Sequence, residues 1–180
     1  VGFAMPMVLV RLLTQADYGT YQQLILVGNT ALALMVLGLP TSVYYFYHHV
    51  AERQIPALVA QTSLMLLAAG LLSAVAIFAF SSSLSEAMNN PSMKALLSLY
   101  AVSVLFMIAS EHSIHFLIAQ NRYGLAVGLE VAETVLRVVL LLAPLALGYG
   151  FTGLIVCIVI YAAARFLVRG FFLAKGVRFA

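Results

Sequence analysis

The chain has 180 residues, of which 64% are hydrophobic and only 8% are charged, and its mean hydropathy is +1.07. Soluble domains carry about 25% charged residues, so this composition excludes an ordinary soluble globular protein. The net charge of +3 is small and dispersed, which excludes a nucleic-acid partner, because nucleic-acid binding requires basic residues gathered on one face.

Six apolar segments follow one another along the chain, separated by short polar breaks. None has the sustained period-two alternation of a membrane β-strand, so helices are the remaining way to satisfy the backbone inside a bilayer. The predicted fold is all-α, a polytopic bundle of about six transmembrane helices. The first segment is shorter than the roughly 20 residues of a span and lacks signal-peptide features, so we expect part of a longer membrane protein. The approximate spans are 1–13, 24–47, 57–80, 95–119, 123–147 and 154–172.

Basic residues are distributed unevenly between the two sets of helix ends. Because Lys and Arg are enriched in cytoplasmic loops, the richer set predicts the cytoplasmic side. The Ser81–Lys94 loop is then external, and the tail at 173–180 lies in the cytoplasm below the inner (cytoplasmic) membrane. The richer set is Arg53, Arg122, Arg165, Arg169, Lys175 and Arg178, and the poorer set is Arg11 and Lys94.

The fifth segment contains three ionisable residues, Glu130, Glu133 and Arg137, on one helical stripe. Charges are costly within a bilayer and usually face a protein interior or an aqueous path. Arg137 lies near the middle of the span, and its guanidinium suits bidentate contact with phosphate. The alternative is that Glu133, one turn earlier, simply neutralises Arg137, and the two interpretations are compatible.

The fourth segment predicts a second polar stripe. Glu111 and His115 are one turn apart, and Glu111 lies at about the same depth as Glu130 if the two helices are antiparallel neighbours. Three interpretations remain open: a site that couples transport to H⁺ or Na⁺, an interhelical hydrogen-bond network, and exposure to an aqueous inner vestibule. The candidate ion-coupling residues are Glu111, His112, His115 and Glu130.

No signal for a metal, cofactor or catalytic site emerges. The single cysteine, Cys157, lies among Ile and Val, and the adjacent His48 and His49 have poor metal spacing. No nucleophile stands beside a base, and no phosphate-binding glycine loop is present. We therefore expect neither an enzyme nor a bound cofactor, apart from the possible H⁺ or Na⁺.

Several short motifs resemble those of polysaccharide (O-antigen type) flippases of the multidrug/oligosaccharidyl-lipid/polysaccharide exporter superfamily. The resemblance covers the whole chain. Its motifs are Arg11-Leu-Leu-Thr-Gln-Ala-Asp-Tyr-Gly-Thr-Tyr after the first helix, Leu37-Gly-Leu-Pro-Thr-Ser-Val-Tyr-Tyr in the second, and Arg122-Tyr, Leu136-Arg-Val-Val-Leu and Gly148-Tyr-Gly-Phe-Thr-Gly-Leu at the fifth and sixth.

The resemblance implies a transporter of about 12–14 helices in two lobes, of which this chain would be the N-terminal lobe. Its expected function is to flip a lipid-linked oligosaccharide across the cytoplasmic membrane by alternating access, for surface polysaccharide biosynthesis. The implied partners are that lipid-linked sugar, membrane lipids and the C-terminal lobe of the same chain. The candidate substrate-binding residues are Arg137, Glu133 and Arg122.

Two other functions remain open from the sequence. Three buried acids against one buried base favour a cation-coupled exporter of small amphipathic molecules. A membrane-embedded glycan polymerase or ligase is the third possibility. Such enzymes usually carry a large external loop, whereas the longest predicted external loop here is Ser81–Lys94.

Overall fold

The computed structural model describes residues 4–36 and 38–178, and over these ranges the chain is helical without a β-strand, which confirms the all-α prediction. A 3₁₀ turn at Glu52–Gln54 precedes the fourth helix. The helices are α1 (Ala4–Leu12), α2 (Gln15–Val36), α3 (Leu39–Tyr47), α4 (Ile55–Ala79), α5 (Ser81–Ala87), α6 (Met93–Ala109), α7 (His112–Ala119), α8 (Tyr123–Ala146) and α9 (Gly150–Arg178).

The helices form seven segments within the described residues, one more than the sequence predicted, because α2 with α3 and α6 with α7 are interrupted single segments. The additional segment is α5, a short helix inside the predicted external loop. The 24 residues of α8 are also enough to span a membrane, but this helix carries three charges. The segments both long and apolar enough to cross a membrane are Gln15–Tyr47, Glu52–Ala79, Met93–Ala119 and Gly150–Gly176.

Two of the membrane segments are broken closer to their C-terminal end, since α2 has 22 residues against 9 in α3, and α6 has 17 against 8 in α7. Between α2 and α3, Gly38 adopts a left-handed conformation with φ of 74°, and Pro40 follows in the first turn of α3, where it needs no hydrogen-bond donor. Between α6 and α7, Ser110 and Glu111 leave the helix although no glycine or proline is present. The half-helices α3 and α7 beyond these breaks pack against each other.

The central helix of the bundle is α6, which packs against α2, α4, α5 and α9, while α8 lies against α9. The main core is apolar and includes Leu24, Leu66, Leu97 and Ile155. A smaller core beside α3 and α7 is formed by Val43, Ile55, Val59 and Phe116. A third apolar region, formed by Ile114, Leu117, Ala126 and Leu129, lies between α7 and α8. Along the fourth membrane segment, the break between α6 and α7 separates residues of the main core from those of the two smaller cores.

Several predicted boundaries differ from the observed ones. The second segment begins at Gln15 rather than at residue 24, because Thr14 Oγ1 accepts a hydrogen bond from the Asp17 backbone at 3.1 Å and donates one to its carboxylate at 2.7 Å, which stabilises the helix start. The sixth segment, predicted over 154–172, is α9, whose helix continues through most of the predicted tail to Arg178. Residues 1–3 of the first segment and 179–180 of the tail lie outside the described ranges.

Candidate functional site

A buried ion pair joins α8 to α9. Arg169 donates two hydrogen bonds of 2.7 Å, from Nε and Nη2, to the two carboxylate oxygens of Glu133. The side chains of Arg169 and Glu133 are 3% and 9% exposed. This is the bidentate geometry in which a guanidinium and a carboxylate bind most strongly.

A second arginine, Arg165, extends the pair to the fourth membrane segment. It donates a 2.9 Å hydrogen bond from Nη2 to Glu111, and its Nε lies 3.5 Å from Glu133 Oε2, close enough for an ion pair but not aligned for a hydrogen bond. Because Arg165 and Arg169 are four residues apart, they lie on one face of α9. The cluster thus connects α8, α9 and the break before α7.

The same cluster stabilises the break between α6 and α7. Arg169 Nη1 lies 3.4 Å from the backbone carbonyl of Ser110, to which the hydroxyl of Ser113 also donates at 2.6 Å. A carbonyl released from a helix inside a membrane is costly unless it finds a donor. Arg169 therefore neutralises Glu133 and also donates a hydrogen bond to the Ser110 carbonyl at the helix break.

Glu130 is the acidic residue that the cluster neutralises least. Its carboxylate lies 3.6 Å from Arg169 Nη2, and its side chain is 60% exposed. Glu111, Glu130 and Glu133 face only two guanidinium groups here, so the cluster carries one excess negative charge. Because the other two glutamates make the closer contacts, that charge resides mainly on Glu130.

The two histidines predicted beside this layer have different surroundings. His112 is buried at the start of α7, and its Nε2 lies 2.8 Å from the hydroxyl of Ser63 on α4. His115 is half-buried, and its Nδ1 lies 3.4 Å from the backbone carbonyl of Glu111 rather than from the carboxylate. Among the described residues, neither histidine hydrogen-bonds to a glutamate carboxylate, although both lie next to the ion-pair cluster in the chain.

Arg137 lies apart from the cluster, on the exposed edge of α8. Among the described residues it forms no ion pair. It lines a small cavity of about 20 Å³, together with one tyrosine from each of α2, α6 and α9: Tyr21, Tyr100 and Tyr161. A cation surrounded by aromatic side chains is an arrangement suited to binding an anionic, ring-containing ligand.

Of the remaining sequence candidates, Arg122 is exposed and immediately precedes α8 without a side-chain capping bond, and the structure does not bring it to Arg137 or to the cluster. The described residues contain no group of His, Cys, Asp or Glu that could hold a metal ion. The structure thus brings Glu111 and Glu130, which were predicted to lie at one depth, into one ion-pair cluster, adds Glu133 to it, and leaves Arg137 separate.

One sequence interpretation is wrong. Glu133 does not neutralise Arg137, because its carboxylate faces α9 and binds Arg169 and Arg165. The count of basic residues places those two arginines at the cytoplasmic ends and gives no sign of their role in the cluster. Their four-residue spacing within an apolar segment was the available signal. Without them, the basic residues at the predicted cytoplasmic ends fall from six to four, against two at the other ends.

The fold and the site together define a multi-pass α-helical membrane protein with a charged interior layer. A family model described as polysaccharide biosynthesis protein matches residues 1–180, which is the whole chain. The chain therefore belongs to the polysaccharide biosynthesis protein family, in agreement with the resemblance of its motifs. Neither the curated proteins nor the solved structures give a significant match.

Proposed function

We propose that this chain is one lobe of a transporter that flips a lipid-linked oligosaccharide across the cytoplasmic membrane by alternating access, with its C-terminal end in the cytoplasm. The single observation that carries the proposal is the position of Arg137. It is exposed at mid-helix, makes no ion pair within the described residues, and is flanked by tyrosines. The family to which the chain belongs supplies the context of polysaccharide biosynthesis.

The depth of Arg137 supports this role. It lies fourteen residues after Tyr123, where α8 begins, which corresponds to about 21 Å along the helix. The hydrocarbon core of a bilayer is about 30 Å thick, so Arg137 lies well inside it. An exposed guanidinium there is strongly disfavoured next to lipid tails, which favours a water-filled path or a bound anion.

The side chains around Arg137 have the chemistry to bind a sugar phosphate, but their cavity of about 20 Å³ is far smaller than a sugar, so the ligand would bind against the exposed edge of α8 beside it. A guanidinium can bind phosphate oxygens bidentately and remains charged at every physiological pH. Tyrosine rings offer apolar faces to sugar rings and a hydroxyl for hydrogen bonding. Of the candidate substrate residues, Arg137 would contact the ligand, Arg122 would act near one end of the path, and Glu133 would position α9.

We further propose that Glu130 couples transport to an H⁺ or Na⁺ gradient. It carries the excess negative charge and is accessible, whereas Glu111 and Glu133 are held by arginines. His112 and His115 would then tune the layer without binding the ion directly. No other cofactor is required by this mechanism.

The proposal is tested by replacing Arg137 in the full-length protein. Loss of a bidentate, charged contact is worth about 1.5–3 kcal/mol, so Arg137→Ala should lower surface polysaccharide production about tenfold to a hundredfold. Arg137→Lys should retain part of the activity, and Val139→Ala, an exposed apolar position on the same helix, is the matched control. Normal polymer at a normal protein level in Arg137→Ala would refute the substrate role.

The excess negative charge also favours the second candidate, a cation-coupled exporter of small amphipathic molecules. Deleting the gene distinguishes the two proposed functions. Loss of surface polysaccharide supports the flippase, whereas increased drug susceptibility with polysaccharide unaffected supports the exporter.

A further inference from the structure

A polar stripe runs along one side of α2, a helix within a segment long and apolar enough to cross a membrane. Its members are spaced by three, four and seven residues, which places them within about 60° of one another around the helix. One of them, Tyr18, is half-buried and the other three are exposed. The stripe consists of Gln15, Tyr18, Gln22 and Asn29.

Asn29 is the deepest member of this α2 stripe. It lies fourteen residues after Gln15, about 21 Å along the helix. Its exposed side chain forms no hydrogen bond within the described residues, whereas the neighbouring Thr30 donates its hydroxyl hydrogen to the backbone carbonyl of Leu26 at 2.9 Å. A carboxamide without a partner is strongly disfavoured in hydrocarbon. The position of Asn29 therefore favours contact with water or with a polar ligand.

The α2 stripe lies on the side of the helix that is directed toward Arg137. Ile25 of α2 lines the same small cavity as Arg137. Gln22 is three residues before Ile25 and Asn29 is four residues after it, so both lie within about 60° of Ile25 around the helix. Leu34, which is also exposed, is nine residues after Ile25 and lies about 180° away from it.

The α2 stripe and Arg137 also lie at similar depths. Three reversals of the chain separate the segment of α2 from α8, so these two helices run in opposite directions. Ile25 is ten residues after the start of α2, and Arg137 is nine residues before the end of α8, which correspond to about 15 Å and about 14 Å. Gln22 therefore lies about one turn to one side of the level of Arg137, and Asn29 about one turn to the other.

The helices α6 and α9 form a floor between α2 and α8. In the bundle α2 packs against α6, α6 against α9, and α9 against α8. Tyr100 of α6 and Tyr161 of α9 line the cavity beside Arg137. The α2 stripe and the Arg137 edge of α8 thus border the same aromatic floor from its two sides.

We propose that the α2 stripe, through Gln22 and Asn29, binds the sugar hydroxyls of the lipid-linked saccharide while Arg137 binds its phosphate, an inference that rests on the proposed transport function. A sugar hydroxyl both donates and accepts hydrogen bonds, and a carboxamide offers donors and an acceptor in one plane. Gln22 Nε2 donates to the hydroxyl of Tyr18 at 2.6 Å, which orients that amide. An amphipathic molecule without hydroxyl groups would gain little from this wall.

The first test measures whether Asn29 faces water. The full-length protein is studied in membrane vesicles, with Cys157→Ala and no other cysteine. Asn29→Cys should react with a membrane-impermeant, charged thiol reagent at least tenfold faster than Leu34→Cys, the matched exposed position on the opposite side of α2. Equal rates would overturn the proposal, because α2 would then face lipid or another helix at Asn29.

The second test separates recognition of the sugar from recognition of the phosphate. Native mass spectrometry of the full-length protein in detergent compares two ligands: the polyprenyl diphosphate saccharide purified from the producing cells, and the same polyprenyl diphosphate without its sugar. Asn29→Leu should weaken binding of the saccharide about fivefold, the equivalent of about 1 kcal/mol, and leave binding of the sugar-free lipid unchanged. Thr30→Val, which removes a hydroxyl already bound within α2, is the matched control and should bind both lipids as the wild type does.

Arg137→Ala distinguishes failure of this inference from failure of the proposed function. It should weaken binding of both lipids, because both carry the phosphate. If it does so while Asn29→Leu weakens neither lipid, or weakens both equally, the phosphate contact stands and the sugar contact on α2 is refuted. If the wild-type protein binds neither lipid, the proposed function fails, and this inference fails with it.

Discussion

Arg169 of α9 and Glu133 of α8 form a bidentate ion pair with both oxygen–nitrogen distances at 2.7 Å. The pair is buried, and in it Arg169 binds Glu133, which sequence spacing had assigned to Arg137 as a partner. One consequence is structural, because α8 is fixed to α9. The other is functional, because Arg137 is left exposed and available to a ligand.

The Glu133–Arg169 pair should dominate the stability of this region. Removing one partner of a buried pair leaves an uncompensated charge and costs about 3–5 kcal/mol. Arg169→Met should therefore lower the unfolding midpoint of the full-length protein in detergent strongly. The double variant Glu133→Gln with Arg169→Met should recover part of the loss, because no charge of that pair then remains buried. Lys175→Met, exposed on the same helix, is the control, and an equal effect of Lys175→Met and Arg169→Met would contradict the prediction.

Arg137 should lie in water rather than in lipid. With Cys157→Ala as the background, since Cys157 lines the same cavity, Arg137→Cys should react with a membrane-impermeant, charged thiol reagent. Val135→Cys, two residues earlier and exposed toward the apolar side of α8, should not react. The rate of modification is measured by a mass shift. Equal rates at the two positions would show that the exposure of Arg137 does not mark an aqueous path.

Glu130 should affect ion coupling but not folding. Its side chain is 60% exposed and lies 3.6 Å from Arg169, so an ion pair with it contributes at most about 1 kcal/mol. Glu130→Gln should therefore leave the unfolding midpoint nearly unchanged while it removes the dependence of transport on an H⁺ or Na⁺ gradient. Glu133→Gln is the comparison, since it should destabilise the protein. Gradient-dependent transport by Glu130→Gln would assign coupling to another residue.

Much of the architecture follows from local sequence. The apolar runs predicted the membrane segments, and the glycines at 148 and 150, both with positive φ, form the turn expected before the sixth segment. The number of residues from each helix end predicts that Glu111 and Glu130 lie at the same depth, because antiparallel helices joined by a short turn keep a fixed register.

The features that the sequence does not predict are those that depend on residues distant along the chain. The break at Ser110 involves no glycine or proline, and its carbonyl accepts hydrogen bonds both from Ser113, three residues away, and from Arg169, 59 residues away. The partner of Glu133 was equally hidden, because a spacing of four residues shows which side chains are near along one helix but not which neighbouring helix they face. The packing of α9 against its neighbours determines the partner of Glu133 and brings Arg169 to the helix break.

Gly70 should be required for the contact between α4 and α6. A Cβ at this position would lie 2.8 Å from the backbone oxygen of Leu105, and a backbone atom cannot move aside as a side chain can. Gly70→Ala must therefore separate the two helices that form the centre of the bundle, at a cost of about 1–3 kcal/mol.

Gly128→Ala is the matched substitution for this prediction, since it adds the same methyl group on a helix where nothing lies within 4 Å. It should leave the unfolding midpoint unchanged or raise it slightly, because alanine favours helix over glycine by about 1 kcal/mol. The midpoints of both variants are compared with that of the wild type in the same detergent. If Gly70→Ala is as stable as Gly128→Ala, the close approach of α4 and α6 is not part of the folded bundle.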